Sequence, residues 1–451
     1  MEKKRFTPPA IKRLQSGMPG KGGIPAQLNP IPDIGGIPVG RLLRDYGSPL
    51  FVLEENVIRN TFRNAKDAFE SRYPRVQFAW SYKTNYLDAV CSIYHQEGSW
   101  AEVVSGFEYQ KALANGVDGR RIIFNGPDKS RDDLKLAIEQ HSYIHVDHFD
   151  ELYTLIELAG SSDVRPRVAI RVNMDTGIFP RWDRFGFNLE NGEAMEAIRR
   201  IIDSGRLDLV GLHTHIGTYI ISVNAYRTAA EKMSALALTI ERELKHSIKY
   251  IDMGGGFASL NTLKGAYHSA ADTTPTFDQY AEAITGAITR AGFNPASLPL
   301  LILETGRALI DDAGFLAGTV LAVKRLSDGR KNLVFNFGVN LLFTSFWYDH
   351  EIHPVEEQTG FTEDATLFGP LCMNIDQLRD QTRMPLLKQG DNVVVKRVGA
   401  YNMTQWMQFI TYRPNVVLIS PDGSIHIIRA AETLNTLRQM EQTPPHLSPG
   451  T

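Results

Sequence analysis

The sequence predicts an α/β protein: a closed (β/α)8 TIM-like barrel joined to a second, mostly antiparallel β domain. Three observations lead there. Eight short apolar runs recur between residues 77 and 304, most of them separated by an amphipathic helical pattern. Such alternation builds a parallel sheet, and eight repeats of it close into a barrel. The bodies of these runs are mostly Val, Ile, Leu and Phe, whereas their last residues are polar or reactive, as expected where chemistry sits at the C-terminal rim of a barrel. After about residue 312 the long helices cease and strand-like runs follow one another.

Bulk properties narrow the class. The chain has 451 residues, 43% hydrophobic and 22% charged, ordinary for a globular protein. A formal net charge of -3 gives no field that would favour nucleic acid or an anionic membrane. Two cysteines, Cys91 and Cys372, exclude a disulfide framework and fit a reducing compartment. The charged start Met1-Glu2-Lys3-Lys4-Arg5 is not followed by an apolar run, so no secretory leader is expected. The most apolar segment, 333–347, is interrupted by Asn336 and Asn340 and is too short to span a bilayer. A soluble cytoplasmic protein is expected.

In chain order, residues 1–30 are rich in Lys, Pro and Gly and read as a flexible N-terminal arm. Residues 31–54 contribute a strand to the β domain, ending in Pro49-Leu50-Phe51-Val52-Leu53, and an amphipathic helix opens at Glu55 and runs to about Tyr73. The barrel covers 55–311. Its strands are expected at 77–83, 100–105, 121–125, 143–147, 167–173, 209–217, 250–254 and 300–304, with helices including 107–115, 132–141, 192–203, 224–245 and 277–290. The β domain covers 312–438, with strands at 319–324, 332–337, 392–398, 409–412, 415–420 and 424–430. A loose tail, 439–451, contains Pro444, Pro445 and Pro449. No internal repeat is visible.

Five stretches suggest chemistry. Lys83 ends the first barrel run. Burial disfavours the charged form of an amine, which would make Lys83 nucleophilic toward aldehydes and able to carry a Schiff base. The alternative is an ammonium that snorkels to the rim. Gly254-Gly255-Gly256 after the seventh run lets backbone N–H groups approach an anion, or simply makes a tight turn. Glu304-Thr305-Gly306-Arg307 after the eighth offers a carboxylate for a protonated ring nitrogen and an arginine for a phosphate, or a rim ion pair. His213 and His215 point to one face of a strand. With no convincing third ligand nearby, a stacking or acid–base role for one of them suits better than a metal, and none is expected. Cys372, in a Gly- and Pro-flanked loop, is less suited to core packing than Cys91, which sits mid-helix.

These pieces, in this order, resemble the barrel-type (fold type III) pyridoxal 5'-phosphate-dependent amino-acid decarboxylases, diaminopimelate decarboxylase most closely. Ornithine and arginine decarboxylases are more distant, and alanine racemase shares the two-domain architecture. The resemblance spans about residues 40–430 and rests on Tyr82-Lys83-Thr84-Asn85, Glu102-Val103-Val104-Ser105-Gly106, Arg184-Phe185-Gly186, His213-Thr214-His215-Ile216-Gly217, Asp252-Met253-Gly254-Gly255-Gly256-Phe257, Glu304-Thr305-Gly306-Arg307, Gly369-Pro370-Leu371-Cys372 and Gly399-Ala400-Tyr401. It implies that Lys83 holds the cofactor covalently, His215 stacks on its ring and Glu304 pairs with the ring nitrogen. Glu102, Arg171 and Gly254 would also bind the cofactor. Thr218, Gly255, Gly256, Gly306 and Arg307 would cradle the phosphate, with Tyr401 reaching it from a partner subunit. Cys372, also from the partner, would protonate the substrate carbon after loss of carbon dioxide. A homodimer with active sites at the interface follows.

One departure bears on substrate. The family usually has an acidic residue directly after the cysteine, which binds the distal amine of the substrate. This chain has Met373 there, followed by Asn374, and Thr305 where proline is usual. A thioether cannot pair with an ammonium. The expected substrate is therefore an amino acid or conjugate whose distal group is neutral, acidic or tethered to a carrier protein, in secondary-metabolite or siderophore biosynthesis, and not free diaminopimelate. Met373, Asp376, Arg307 and Tyr401 are the expected substrate contacts. A racemase or epimerase on the same scaffold is the alternative reading. A decarboxylase-like protein without catalysis is the second alternative, which joint retention of Lys83, Glu304 and Cys372 disfavours.

Overall fold

The structure, a computed structural model, describes residues 28–266 and 268–447. The arm expected at 1–30 lies almost wholly outside them, as does the end of the tail. Eight strands, Val76–Ser81, Trp100–Val103, Ile122–Phe124, Tyr143–Val146, Arg167–Asn173, Asp208–His213, Tyr250–Asp252 and Leu300–Leu303, form one parallel sheet. Leu301–Leu303 pair in register with Val76–Phe78, so the eighth strand closes on the first. The strands are short and apolar throughout because both faces are covered. Ile122, Ile123 and Phe124, the whole of strand three, are fully buried.

The barrel interior has its own small core: Ala79, Ile123, Ala169, Val210, Tyr250 and Ile302. A Cβ at Gly211 would lie 2.2 Å from the Tyr250 ring, so strand six uses glycine to admit that ring. The Tyr250 hydroxyl shares a 2.9 Å hydrogen bond with His145 Nε2, which begins a polar layer above the apolar one. Outside, the helices are capped as their sequences suggest. Ser130 and Thr276 form capping boxes, and Ser105 Oγ accepts the Glu108 N–H.

The second domain is built around strand Leu50–Glu54. It pairs antiparallel with residues 314–317, the start of strand Gly314–Arg325, and parallel with Val416–Ile419. Leu50 and Val52 pack there with Ala317, Val394 and Val417. One N-terminal strand thus completes the C-terminal domain, then feeds directly into helix Glu55–Glu70 of the barrel.

Differences from the expected elements have physical causes. Strand six ends at His213, not at residue 217, so His215 sits on the loop beyond it. Helix Phe149–Ala159 and the hairpin Thr362–Phe368/Gln377–Pro385 were not expected. The hairpin reads TEDATLF and QLRDQTRMP, and its charged residues mask the alternation that marks a strand. Residues 409–412 form no strand: Phe409, Ile410 and Tyr412 are exposed, and Ile410 has a φ of 48°.

Removing a filled layer of the barrel interior should be costly. Ile302→Ala should lower unfolding free energy by about 2–5 kcal/mol in chemical denaturation, because the surrounding strands cannot collapse into the cavity.

Candidate active site

Lys83 lies two residues past strand one, in a turn held from two sides. The Thr84 N–H donates to Ser81 O (3.0 Å). A loop of the β domain clamps the turn from above: Tyr401 N–H donates to Thr84 O (2.8 Å), Thr404 Oγ1 to Lys83 O (3.0 Å), and Asn85 Nδ2 to Gly399 O (3.0 Å). The turn fixes the backbone while the amine projects into a cavity of about 210 Å3. Lys83, Glu102, Asn125, Arg171, His213, His215 and Glu304 all line it, with Trp182 and Phe185 on the apolar side.

The amine donates to both oxygens of Glu102, at 2.8 and 2.7 Å. Burial alone would lower its pKa, as the sequence suggests. The Glu102 carboxylate, with Glu304 behind it, more than reverses this and pushes Lys83 up to about 12. The expected depressed amine is therefore corrected. In the cofactor-free protein Lys83 is a stabilised ammonium, and its partner has no exposed side-chain surface.

Below the amine lies a polar floor. Asn125 Nδ2 donates to Glu102 Oε1 (3.1 Å) and to Glu304 Oε1 (2.7 Å). His213 Nε2 lies 3.4 Å from Glu304 Oε2, yet neither ring nitrogen of His213 has a hydrogen-bond partner among the described residues. His145 packs on His213 with ring centroids 4.7 Å apart. Burial lowers both imidazoles well below the usual histidine range, so both are neutral. Asp252 is pushed well above the carboxylate range by burial and then by neighbouring Glu304. The sequence offered no third ligand beside His213 and His215. The structure gives His213 two neighbours with donor atoms, His145 and Glu304, all within 4.8 Å. That geometry could hold a metal ion, which was not foreseen.

The rim residues divide. The Gly255 N–H donates to His215 Nδ1 (3.0 Å), which places the ring proton of neutral His215 on Nε2. The Gly254 N–H donates to Asp252 Oδ1 (2.8 Å). Those two amides therefore order the site's own side chains. A Cβ at Gly256 would lie 2.2 Å from Gly217 O, and one at Gly306 would lie 2.0 Å from Thr84 Oγ1. Both glycines permit close packing of loops. Arg307 donates to Thr218 Oγ1 (3.0 Å) and to the Tyr348 hydroxyl. Its guanidinium lies 4.7 Å from the centroid of Tyr401 of the same chain. The expectation that a partner subunit brings Tyr401 here is corrected: the clamp loop already does so. Arg171 lies 3.6 Å from Asp147 and over Phe185 at 4.4 Å.

The 372–376 loop is not among the cavity-lining segments. Cys372 is exposed, and Met373 packs against the hydrophobic core. Asp376 is 1% exposed. Its carboxylate accepts the N–H of Val339 (2.8 Å) and of Leu371 (2.7 Å), so it folds the loop instead of facing a substrate, contrary to expectation. Cys91 is buried in its helix, and burial pushes its thiol up to about 12. Sequence reasoning missed Asn125, His145, Asp252 and Trp182 as site residues. The only available signal was that the first three end barrel strands or lie beside a strand end.

The Glu102 contact can be read directly. In the cofactor-free protein Lys83 should resist acylation at pH 9 and become reactive in Glu102→Gln, as followed by peptide mass mapping. Linkage gives the same sign. With its folded pKa raised, Lys83 contributes stability that is complete below about 10.4 and is lost as pH rises toward about 12.

Residues 56–311 match the pyridoxal-binding domain of the pyridoxal-dependent decarboxylases. Over 428 residues, covering 92% of this chain and 96% of the relative, the chain is 28% identical to the diaminopimelate decarboxylase of Methanothermobacter thermautotrophicus. It is 29% identical to that of Bacillus subtilis, covering 91% and 94%. The structure of M. jannaschii diaminopimelate decarboxylase in complex with L-lysine superposes with a TM-score of 0.84 at 26% identity, covering 92% of this chain and 97% of that one. The cavity suits pyridoxal phosphate: an amine stands at its mouth, a carboxylate at its floor, and buried polar atoms of Asn125 and His213 have no hydrogen-bond partner among the described residues. With a closed eight-stranded barrel, a rim lysine and a matched cofactor-binding domain, the chain belongs to the pyridoxal-dependent decarboxylases.

Proposed function

We propose that this protein is a pyridoxal-phosphate-dependent decarboxylase of an amino acid or amino-acid conjugate whose distal group is not a free ammonium. The observation that carries this reading is the gathering of Lys83, Glu102, His215 and Glu304 around one cavity. Lys83 would hold the cofactor through its amine, His215 would flank the ring, and Glu304 would meet the ring nitrogen. Arg307, fixed by Thr218 and Tyr401, would face the phosphate. When bound, the cofactor supplies an electron sink for the charge left on the substrate carbon by loss of carbon dioxide.

Return of a proton to that carbon is assigned to Cys372 Sγ. Cys372 is exposed and outside the cavity of its own chain, so this role needs a second subunit. A homodimer with shared sites is therefore part of the proposal. Met373 supports the altered substrate class, since it offers no charge to a distal amine and rests on apolar neighbours. The relatives named above act, by name, on diaminopimelate.

The test is release of carbon dioxide by the purified protein from a substrate panel. Candidates with neutral, carboxylated and carrier-bound distal groups should turn over, and Lys83→Ala should abolish both turnover and an absorbance band near about 420 nm. Strong turnover of free meso-diaminopimelate would overturn the substrate reading. Loss of optical rotation without carbon dioxide would favour a racemase. Cys372→Ala should cut turnover by about 10²-fold or more while leaving the band intact.

A further inference from the structure

Asn125 follows strand three at the cavity wall and is 4% exposed. Its side-chain amide has two N–H bonds, and each meets a different carboxylate: Glu102 Oε1 at 3.1 Å and Glu304 Oε1 at 2.7 Å. Its carbonyl oxygen, Oδ1, has no hydrogen-bond partner among the described residues. Glu102 grips the Lys83 amine, and Glu304 reaches toward His213 Nε2 at 3.4 Å. A hydrogen-bonded chain thus crosses the cavity floor from Lys83 through Glu102 and Asn125 to Glu304, with His213 Nε2 lying beyond it. Two carboxylates in a buried site repel each other unless something neutral stands between them and donates to both. A primary amide does this without adding charge.

We propose that Asn125 is a positioning residue that ties the carboxylate on the Lys83 amine to the carboxylate at the barrel centre, so that proton balance at one end depends on the other. The inference rests on the reading of Lys83 as the cofactor-bearing lysine. Aspartate at 125 would keep the shape of the side chain but, once ionised, turn its double donor into an acceptor. The added negative charge would hold the proton on the amine side more tightly. Serine could donate to only one of the two carboxylates.

The experiment compares wild type, Asn125→Asp and Asn125→Ser as cofactor-loaded enzymes, titrating the long-wavelength absorbance against pH. The midpoint should rise by about one pH unit in Asn125→Asp and by less in Asn125→Ser. A second reading is the melting temperature of the cofactor-free proteins against pH. A carboxyl at 125 would have its folded pKa raised by burial and by two like-charged neighbours. Asn125→Asp should therefore match wild type in acid and fall progressively below it as pH rises through that pKa. If the Asp variant does not fold, the Ser variant decides alone. Wild-type midpoints and wild-type pH dependence of melting in every variant that folds would overturn the inference. Absence of the absorbance band in wild type would instead contradict the cofactor reading, and the melting curves would still decide the role of Asn125.

Discussion

The ion pair between Lys83 and Glu102 organises the site, and barrel closure makes the pair possible. Strand one and strand two are neighbours in register, with Ser81 opposite Glu102. Glu102 points inward from a fully buried position, and the turn after strand one returns the amine to it at 2.7 Å. An open sheet would leave Glu102 wet and the pair weak. Beside a fully buried carboxylate, the same contact holds a full charge in place. The carboxylate also needs a second donor on its other side, which Asn125 supplies from strand three. Adjacent strands therefore contribute adjacent links of one chain of polar contacts.

The β domain has a direct part in this. Its clamp loop, 399–404, bonds to the backbone of residues 83–85 and lays Tyr401 against Arg307. Asp311 reinforces the same join: its carboxylate accepts from Ser259 and Asn261 of the barrel and from the Ala400 N–H. Burial pushes Asp311 up to about 6, and the Arg307 charge, with hydrogen bonds from Ser259 and the Ala400 N–H, restrains it from rising further. A polar, hydrogen-bonded seam at the rim thus joins the domains, beside an apolar core that both share. Positions of the reactive groups and cohesion of the two domains depend on the same contacts.

Much of the fold was legible because its signals are local. Eight apolar runs with helices between them give a barrel, and the bounds of helix Phe277–Arg290 follow from Thr276 and the apolar spacing behind it. The family motifs likewise located Lys83, His215, Glu304 and Arg307, since each lies just beyond a strand end. What escaped is non-local. Burial of a lysine suggests a low pKa, but its sign depends on Glu102, nineteen residues away and one strand over. Asn125 and His145 look like turn formers or core residues until the barrel closes and sets them beside Glu304 and His213. Tyr401 could not be assigned to its own chain without knowing where the clamp loop lies. Asp376 reads as a free acid in sequence, yet two backbone N–H groups already hold it.

The claim on which everything rests is that Lys83 is the lysine that takes the cofactor. It is tested most directly by reducing the cofactor-loaded protein with borohydride, digesting it and locating the pyridoxyl group by mass spectrometry. The account predicts the mark on the peptide containing Lys83, and none on those containing Lys129 or Lys232. A mark confined to another lysine, or no mark on a protein that binds the cofactor, would contradict it.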